Sequence, residues 1–244
     1  MNKRSHFVGI LGSMGPLATA DFLSKLVLNT PANKDQDHIP VILHGDCTIP
    51  DRIEFINGKG PSPLPQLSEG IRFLNDCGVG VICMPCNTAH IWHAQLAAMS
   101  QAPLLHIVQS SADKISKKNP LAKKIGLLST HSTHLSGLYH GPLQDRGFEV
   151  VSPTEKDFKV FINPAIDQVK ANQIIPAEKT FTLVAQSLIE RGAEVIILGC
   201  TEIPVVMKKQ LAEKPSMYID SNQALAQAVI DFFQNTKASA PQIV

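Results

Sequence analysis

Short apolar runs alternate with helix-length amphipathic stretches along most of the chain, and that alternation admits few folds. The runs are Phe7–Leu11, Val41–His44, Val79–Met84, Leu104–Val108, Ile125–Ser129, Phe148–Val151, Val195–Leu198 and Met217–Ile219. The clearest helical stretch is Pro176–Arg191. There Phe181, Val184, Ala185 and Leu188 recur at helical spacing, Pro176 stands near the start and Gly192 follows the end. Strands separated by helices pair in parallel, because the crossover lays a helix on a sheet face. The expected class is α/β, with parallel sheets covered on both faces.

Within this pattern a weak repeat is visible. Gly9-Ile10-Leu11 opens the first half and Gly126-Leu127-Leu128 the second, each followed by a turn and a helix. Later in each half an apolar strand runs straight into a cysteine: Val81-Ile82-Cys83-Met84-Pro85-Cys86 and Val195-Ile196-Ile197-Leu198-Gly199-Cys200. Cys86 follows Gly9 by 77 residues and Cys200 follows Gly126 by 74. At roughly 150 residues per domain, 244 residues leave one large domain or two small ones open. The repeat favours two similar domains facing one another across a cleft.

Composition narrows the partner. Lys plus Arg is 22 and Asp plus Glu 21, giving a net charge of +1, so no bulk field draws the chain to nucleic acid or an anionic membrane. A small molecule is the expected partner. The odd, irregularly spaced set Cys47, Cys77, Cys83, Cys86 and Cys200 argues against a disulfide framework and for a reducing cytoplasm. Lys3-Arg4 followed by Phe7–Ala20 has the outline of a signal peptide. Gly9, Gly12, Gly15 and Pro16 interrupt it, and Val8–Leu11 reads better as a buried strand. The sequence has no apolar run of about 18 residues, the length a membrane span needs.

Cys86 and Cys200 both fall where a strand should end and a helix begin, the edge of a parallel sheet at which ligands bind. Helix N-termini there would favour an anion and lower a thiol's pKa. Asn87-Thr88-Ala89-His90 follows Cys86 and Thr201-Glu202-Ile203-Pro204 follows Cys200, so each thiol is accompanied by small polar donors. The plain alternative is that a cysteine at a strand end is a small buried hydrophobe. Cys83-x-x-Cys86 has the spacing of a redox or metal motif. Cys83, however, lies inside the apolar strand, and neither a second CxxC nor a His-x-x-x-His partner exists. No metal is expected, and Cys47 and Cys77 read as structural.

Two thiols from opposite domains suit one chemistry well. Inverting a carbon requires a proton to leave one face and another to arrive at the opposite face, which a single base cannot easily do. A thiolate on one side and a thiol on the other can do it, exchanging roles in the reverse direction. Gly9-x-x-Gly12-x-x-Gly15 is not the dinucleotide fingerprint, and no phosphate-binding G-x-x-x-x-G-K-[ST] occurs.

Four blocks then stand in order: Gly9-Ile-Leu-Gly-Ser-Met-Gly-Pro-Leu-Ala-Thr-Ala20, Ile49-Pro-Asp-Arg52, Met84-Pro-Cys-Asn-Thr-Ala-His90 and Gly199-Cys-Thr-Glu202. With them the sequence resembles the aspartate/glutamate racemase superfamily, and within it the cofactor-independent aspartate racemases. The resemblance implies two similar α/β domains related by a pseudo-two-fold axis, with the active site in the cleft between them. It implies a first domain of residues 1–104 and 209–244, to which the last strand and helix return, and a second of residues 105–208. It also implies an acidic amino-acid substrate, no pyridoxal phosphate and a homodimer.

By position, Cys86 and Cys200 match the family's acid/base thiols. Met14, Arg52, Asn87, Thr88, Thr130, Thr201 and Lys170 match positions around the substrate, with Arg52 and Lys170 as the cations for its side-chain carboxylate. Arg is suited to clamping a carboxylate bidentately, whereas Lys acts as a point charge. The family's first turn often has a second glycine where this chain has Ser13, which fits if its φ is negative. Glutamate racemases usually carry His after the second Cys-Thr. Glu202 stands there instead and moves the expectation toward aspartate.

Other polar residues are less informative. His90 is expected to pack or cap, and Thr133 to line the cleft beside Thr130. Glu202 is expected either to orient a thiol or to cap its own helix, and Thr236–Val244 to fray. The leading expectation is an aspartate racemase. Its alternatives are a broader-range or glutamate racemase, a maleate isomerase using one cysteine as nucleophile, and a binding protein that has lost turnover.

Overall fold

The computed structural model describes residues 5–238. Lys3-Arg4 and residues 239–244 lie outside them. The first sheet is parallel, with β1 (Val8–Gly12) between β2 (Val41–Gly45) and β3 (Val81–Cys83). The second is also parallel, in the order β5 (Glu149–Val151), β4 (Lys124–Ser129), β6 (Val195–Gly199), β7 (Tyr218–Asp220). In each sheet the first strand in sequence lies between the next two, so the repeat read from the sequence reappears as matching strand order.

Side-chain alternation builds the layers. Ile10, Cys83, Ile125, Leu127 and Ile197 pack into one cluster common to both sheets, together with Phe22, Ile107, Tyr139 and Val229 from the covering helices. Their neighbours pack the other way. Leu11, Ile82 and Met84 join Leu67, Ile71 and Trp92, while Leu128, Ile196 and Leu198 join Phe158, Phe181 and Leu188. Each fully buried side chain of this size contributes roughly 1.5–3 kcal/mol. The middle cluster is therefore a core that the two sheets share. Gly70 lets helix Leu64–Asp76 lie close on β1, since a Cβ there would come within 2.5 Å of Leu11 Cδ1.

Three expectations change. The last strand does not return to the first domain: β7 pairs with β6, Ile197 opposite Ile219. Its helix, Ser221–Ala238, lies in the shared layer, where Leu225, Val229 and Ile230 meet residues of both sheets. Leu104–Val108 is not a strand. Only Leu104 bridges to Ile82, and helix Ile107–Lys118 begins three residues later, with His106 Nδ1 accepting from Val108 N at 3.2 Å. Thr236 does not fray, because the helix runs on to Ala238 and Thr236 Oγ1 donates to Phe232 O at 2.7 Å. Among the described residues no helix is long and apolar enough to cross a membrane.

Candidate active site

Strand register brings the candidate residues together. Ser129 lies opposite Gly199, so Thr130 and Cys200 leave adjacent strands at one level. In the other sheet the chain leaves β3 through Met84-Pro85 and turns tightly, Cys86 N donating to Met84 O at 2.8 Å. A cavity between these ends is lined by Met14, Arg52, Cys86, Asn87, Thr88, Thr130, Lys170, Cys200 and Thr201. All the site residues singled out from the sequence thus border one space. Asp51, Ile53, Ile166 and Glu202 complete its wall.

Arg52 is fixed by backbone. Its Nη1 donates to Ile49 O at 3.3 Å and Pro50 O at 3.1 Å, and its Nη2 to Met14 O at 3.1 Å. Much of the fork expected to clamp a carboxylate is therefore already engaged by backbone, and the guanidinium also hydrogen-bonds the Cys86 thiol. Asp51 caps the helix that Arg52 begins, accepting from Ile53 N at 2.7 Å and Glu54 N at 3.1 Å.

Lys170 ends a helix continuous from Glu155. The segment starts in a capping box at Thr154 and Asp157, passes through a π-helical turn at Phe158–Ile162 and continues as Asn163–Lys170. Lys170 Nζ donates to Asp51 Oδ2 at 3.2 Å. Burial opposes both charges, but the pair outweighs it: Lys170 is held above its ordinary pKa and Asp51 below its own.

The two thiols have different neighbours. Burial pushes the Cys86 thiol up; the Arg52 guanidinium pulls it down and Glu202 raises it. Burial pushes Cys200 up further, and Glu202 adds to the rise. Cys200 Sγ donates to Glu202 Oε2 at 3.0 Å, while Gly15 N donates to Glu202 Oε1 at 3.2 Å. The expected lowering of both thiols by helix N-termini is outweighed: backbone N–H groups of Ala89 and Glu202 favour the Cys86 and Cys200 thiolates, but burial leaves both thiols raised. A 3-10 segment, Thr88–Trp92, follows Cys86, and a helix of only four residues, Ile203–Val206, follows Cys200. Such short pieces align too few peptide dipoles to offset burial.

Hydroxyls and amides fill the remaining contacts. Thr88 Oγ1 lies 3.3 Å from Thr130 Oγ1 and 3.0 Å from Thr133 Oγ1, joining the two halves across the cavity wall. The Asn87 side chain is turned inward, Nδ2 donating to Ser221 Oγ at 3.0 Å and Oδ1 accepting from Tyr139 OH at 2.6 Å. His90 packs rather than facing the cavity. Its Nδ1 donates to Cys86 O at 2.8 Å and its Nε2 accepts from Ile107 N at 3.2 Å. Burial holds its pKa at about 3, so it is a neutral strut beneath the Cys86 turn.

Ser13 contradicts the expectation of a negative φ. Its φ is +66°, the left-handed region that the family's glycine would occupy without strain. Sequence reasoning passed over Asp51 and left Glu202 open. Asp51 was legible inside Ile49-Pro-Asp-Arg52, where an Asp followed by a helix marks an N-cap.

This geometry agrees with the comparisons to known proteins. The family model for Asp/Glu/hydantoin racemases matches residues 11–229. The chain belongs to that family. It is therefore an amino-acid racemase, an isomerase with a small-molecule substrate. The broad specificity amino-acid racemase RacX of Bacillus subtilis (strain 168) is 28% identical over 235 residues, covering 93% of this chain and 97% of the relative. The solved Picrophilus torridus aspartate racemase is 35% identical with a TM-score of 0.83, over 93% of this chain and 94% of that one. The glutamate racemase of Francisella tularensis, at 17% identity and a TM-score of 0.69 over 99% and 85% of the two chains, shares the fold.

Proposed function

We propose that this racemase interconverts L- and D-aspartate by two-base proton transfer between Cys86 and Cys200, without pyridoxal phosphate. The observation that carries the reading is that both sulfurs, each on a different sheet's edge, border one cavity that also holds Arg52 and Lys170. An acidic amino acid has two carboxylates, and Arg52 and Lys170 are the cations placed to meet them, Lys170 while also paired with Asp51. The Arg52 guanidinium, which lines the cavity, gives one carboxylate a charge-assisted hydrogen bond. Lys170 attracts the other as a point charge.

In one direction the Cys86 thiolate removes the α-proton and the Cys200 thiol delivers a proton to the opposite face. The roles reverse in the other direction. Arg52 stands beside Cys86 and favours its thiolate, whereas Glu202 keeps Cys200 protonated. The starting state for this direction is therefore Cys86 as base and Cys200 as acid. The buried walls and the hydroxyls of Thr88 and Thr130 surround the developing carbanion with fixed dipoles in place of bulk water.

A wider amino-acid range is the second reading, favoured by the apolar Ile53 and Ile166 in the wall and by the named activity of the Bacillus relative. The test is ¹H NMR of L-aspartate, L-glutamate and L-alanine in D₂O with the protein, followed by chiral chromatography. Loss of the α-proton signal with appearance of D-aspartate is expected, and Cys86→Ser or Cys200→Ser should abolish interconversion. Normal racemisation by the double variant would overturn the mechanism.

A further inference from the structure

Glu202 lies between two cavities. It lines the catalytic cavity together with Cys200, and, like Lys170, it also lines a second cavity bordered by Pro16, Leu17, Ala18, Val169 and Asn172. The carboxylate is itself buried, whereas Leu17 on the second cavity's rim is 38% exposed, so that cavity communicates with solvent. The two carboxylate oxygens divide between the sides. Oε2 accepts the Cys200 thiol at 3.0 Å. Oε1 accepts at 3.2 Å from Gly15 N, a residue that borders only the second cavity. Position 15 is a glycine at this contact, where a Cβ would stand 3.2 Å from Oε1.

From this arrangement we infer that Glu202 is a proton relay, returning Cys200 to its thiol form between turnovers with protons drawn from solvent through the second cavity. The inference rests on the paired-thiol reading and adds a step to it. One racemisation leaves Cys86 as thiol and Cys200 as thiolate, the wrong pair for another substrate of the same hand. Hydronium or a buffer acid in the second cavity protonates the Glu202 carboxylate on the oxygen facing that side. Rotation of the carboxyl group exchanges the two oxygens, so that the protonated one takes the Oε2 position. The carboxylic acid then passes its proton from Oε2 to Cys200 Sγ, which regenerates thiol and carboxylate. Cys86 loses its proton to water in the emptied catalytic cavity. One proton enters and one leaves, and no redox partner is required.

The step concerns the free enzyme and not the bond-breaking one, so it separates single from multiple turnover. Glu202→Gln keeps an acceptor for Gly15 N and nearly the same volume but cannot carry a proton. With enzyme in excess over L-aspartate, conversion by Glu202→Gln measures that variant's own chemical step, which includes any effect of losing the Cys200 partner, and its multiple-turnover rate is read against that value. With substrate in excess the rate should fall at least about tenfold below it, and formate, a small acid able to enter the second cavity, should restore much of it. Leu17→Trp, which narrows the second cavity with Glu202 intact, should depress only the multiple-turnover rate, and it decides the matter if Glu202→Gln does not fold. Unchanged multiple-turnover rates in both variants would overturn the relay. An equal fall in single and multiple turnover would also overturn it, placing Glu202 in the chemical step while leaving the paired thiols standing. Absence of any α-proton exchange by the parent protein would remove the paired-thiol reading itself, and the relay with it.

Discussion

Lys170 Nζ meets Asp51 Oδ2 at 3.2 Å, so the last residue of a second-half helix is tied to the N-cap of a first-half helix at the cavity mouth. Both side chains are about one-third exposed, and the pair itself is worth at most about 1 kcal/mol. Lys170→Met should therefore leave the melting temperature nearly unchanged. It should raise KM for aspartate by about tenfold or more, the loss expected for one charge-assisted contact, and change little for a neutral amino acid. Asp51→Asn isolates the pair's pH dependence. Asp51 has a folded pKa below its ordinary 3.8, so its contribution is complete above 3.8 and fades as pH falls through the lowered value. Stability curves of the parent and Asp51→Asn should converge in that acid window and separate above it.

The thiols carry the opposite sign. Both are raised above their ordinary 9.0, so the Cys86 thiolate that acts as base is the minor form near neutral pH, and kcat/KM should climb with pH on the acid side of its profile. Arg52 lowers the Cys86 pKa against burial, and its removal should push that thiol higher still. In a Cys200→Ser background, iodoacetamide should label Cys86 more slowly after Arg52→Met, with the labelling curve displaced to higher pH. An unshifted curve would mean that the guanidinium does not support the thiolate. Raised thiols also make folding stability fall above pH 9.0, where the unfolded chain releases protons that the folded one retains. Cys200→Ser should flatten that decline in urea titrations.

The sequence showed the site's members more clearly than its wiring. Cys86 and Cys200 were legible as candidates because each follows closely on an apolar strand at the binding edge of a parallel sheet, three residues beyond Cys83 in one case and directly after Gly199 in the other. Glu202 was visible as a residue but not as a partner. Its contacts to Cys200 Sγ and Gly15 N span 2 and 187 residues, and no local period encodes the second. The β7–β6 pairing was misassigned because strand partnership depends on which layer the following helix joins. Ser221–Ala238 meets both sheets, so its apolar face does not choose between them.

Thr133 is fully buried, and its hydroxyl touches those of Thr88 at 3.0 Å and Thr130 at 2.9 Å. Thr133→Val preserves shape but leaves two hydroxyls short of a partner, an expected cost of about 1–3 kcal/mol in urea unfolding. Adding Thr88→Val removes a second member of the same cluster, so the double variant should cost less than the sum of the singles. Simple additivity would show that the cluster does not join the halves energetically.

Ser13 offers a gain in stability. At φ +66° its Cβ sits in a conformation costing roughly 1–2 kcal/mol for an L-residue. Glycine would relieve that strain, at the expense of about 0.4–1 kcal/mol from a freer unfolded chain. Ser13 N is held by Thr19 Oγ1 at 2.8 Å, a backbone contact that substitution leaves intact. A neighbouring constraint works in the other direction: Ser13 Oγ would lie 2.9 Å from a Cβ at position 45, so Gly45→Ala crowds the same turn. Ser13→Gly should therefore stabilise the protein by about 0.5–1 kcal/mol and make Gly45→Ala easier to tolerate. Chemical denaturation of the two single variants and the double variant measures both effects. A Ser13→Gly variant less stable than the parent would show that the hydroxyl outweighs the strain.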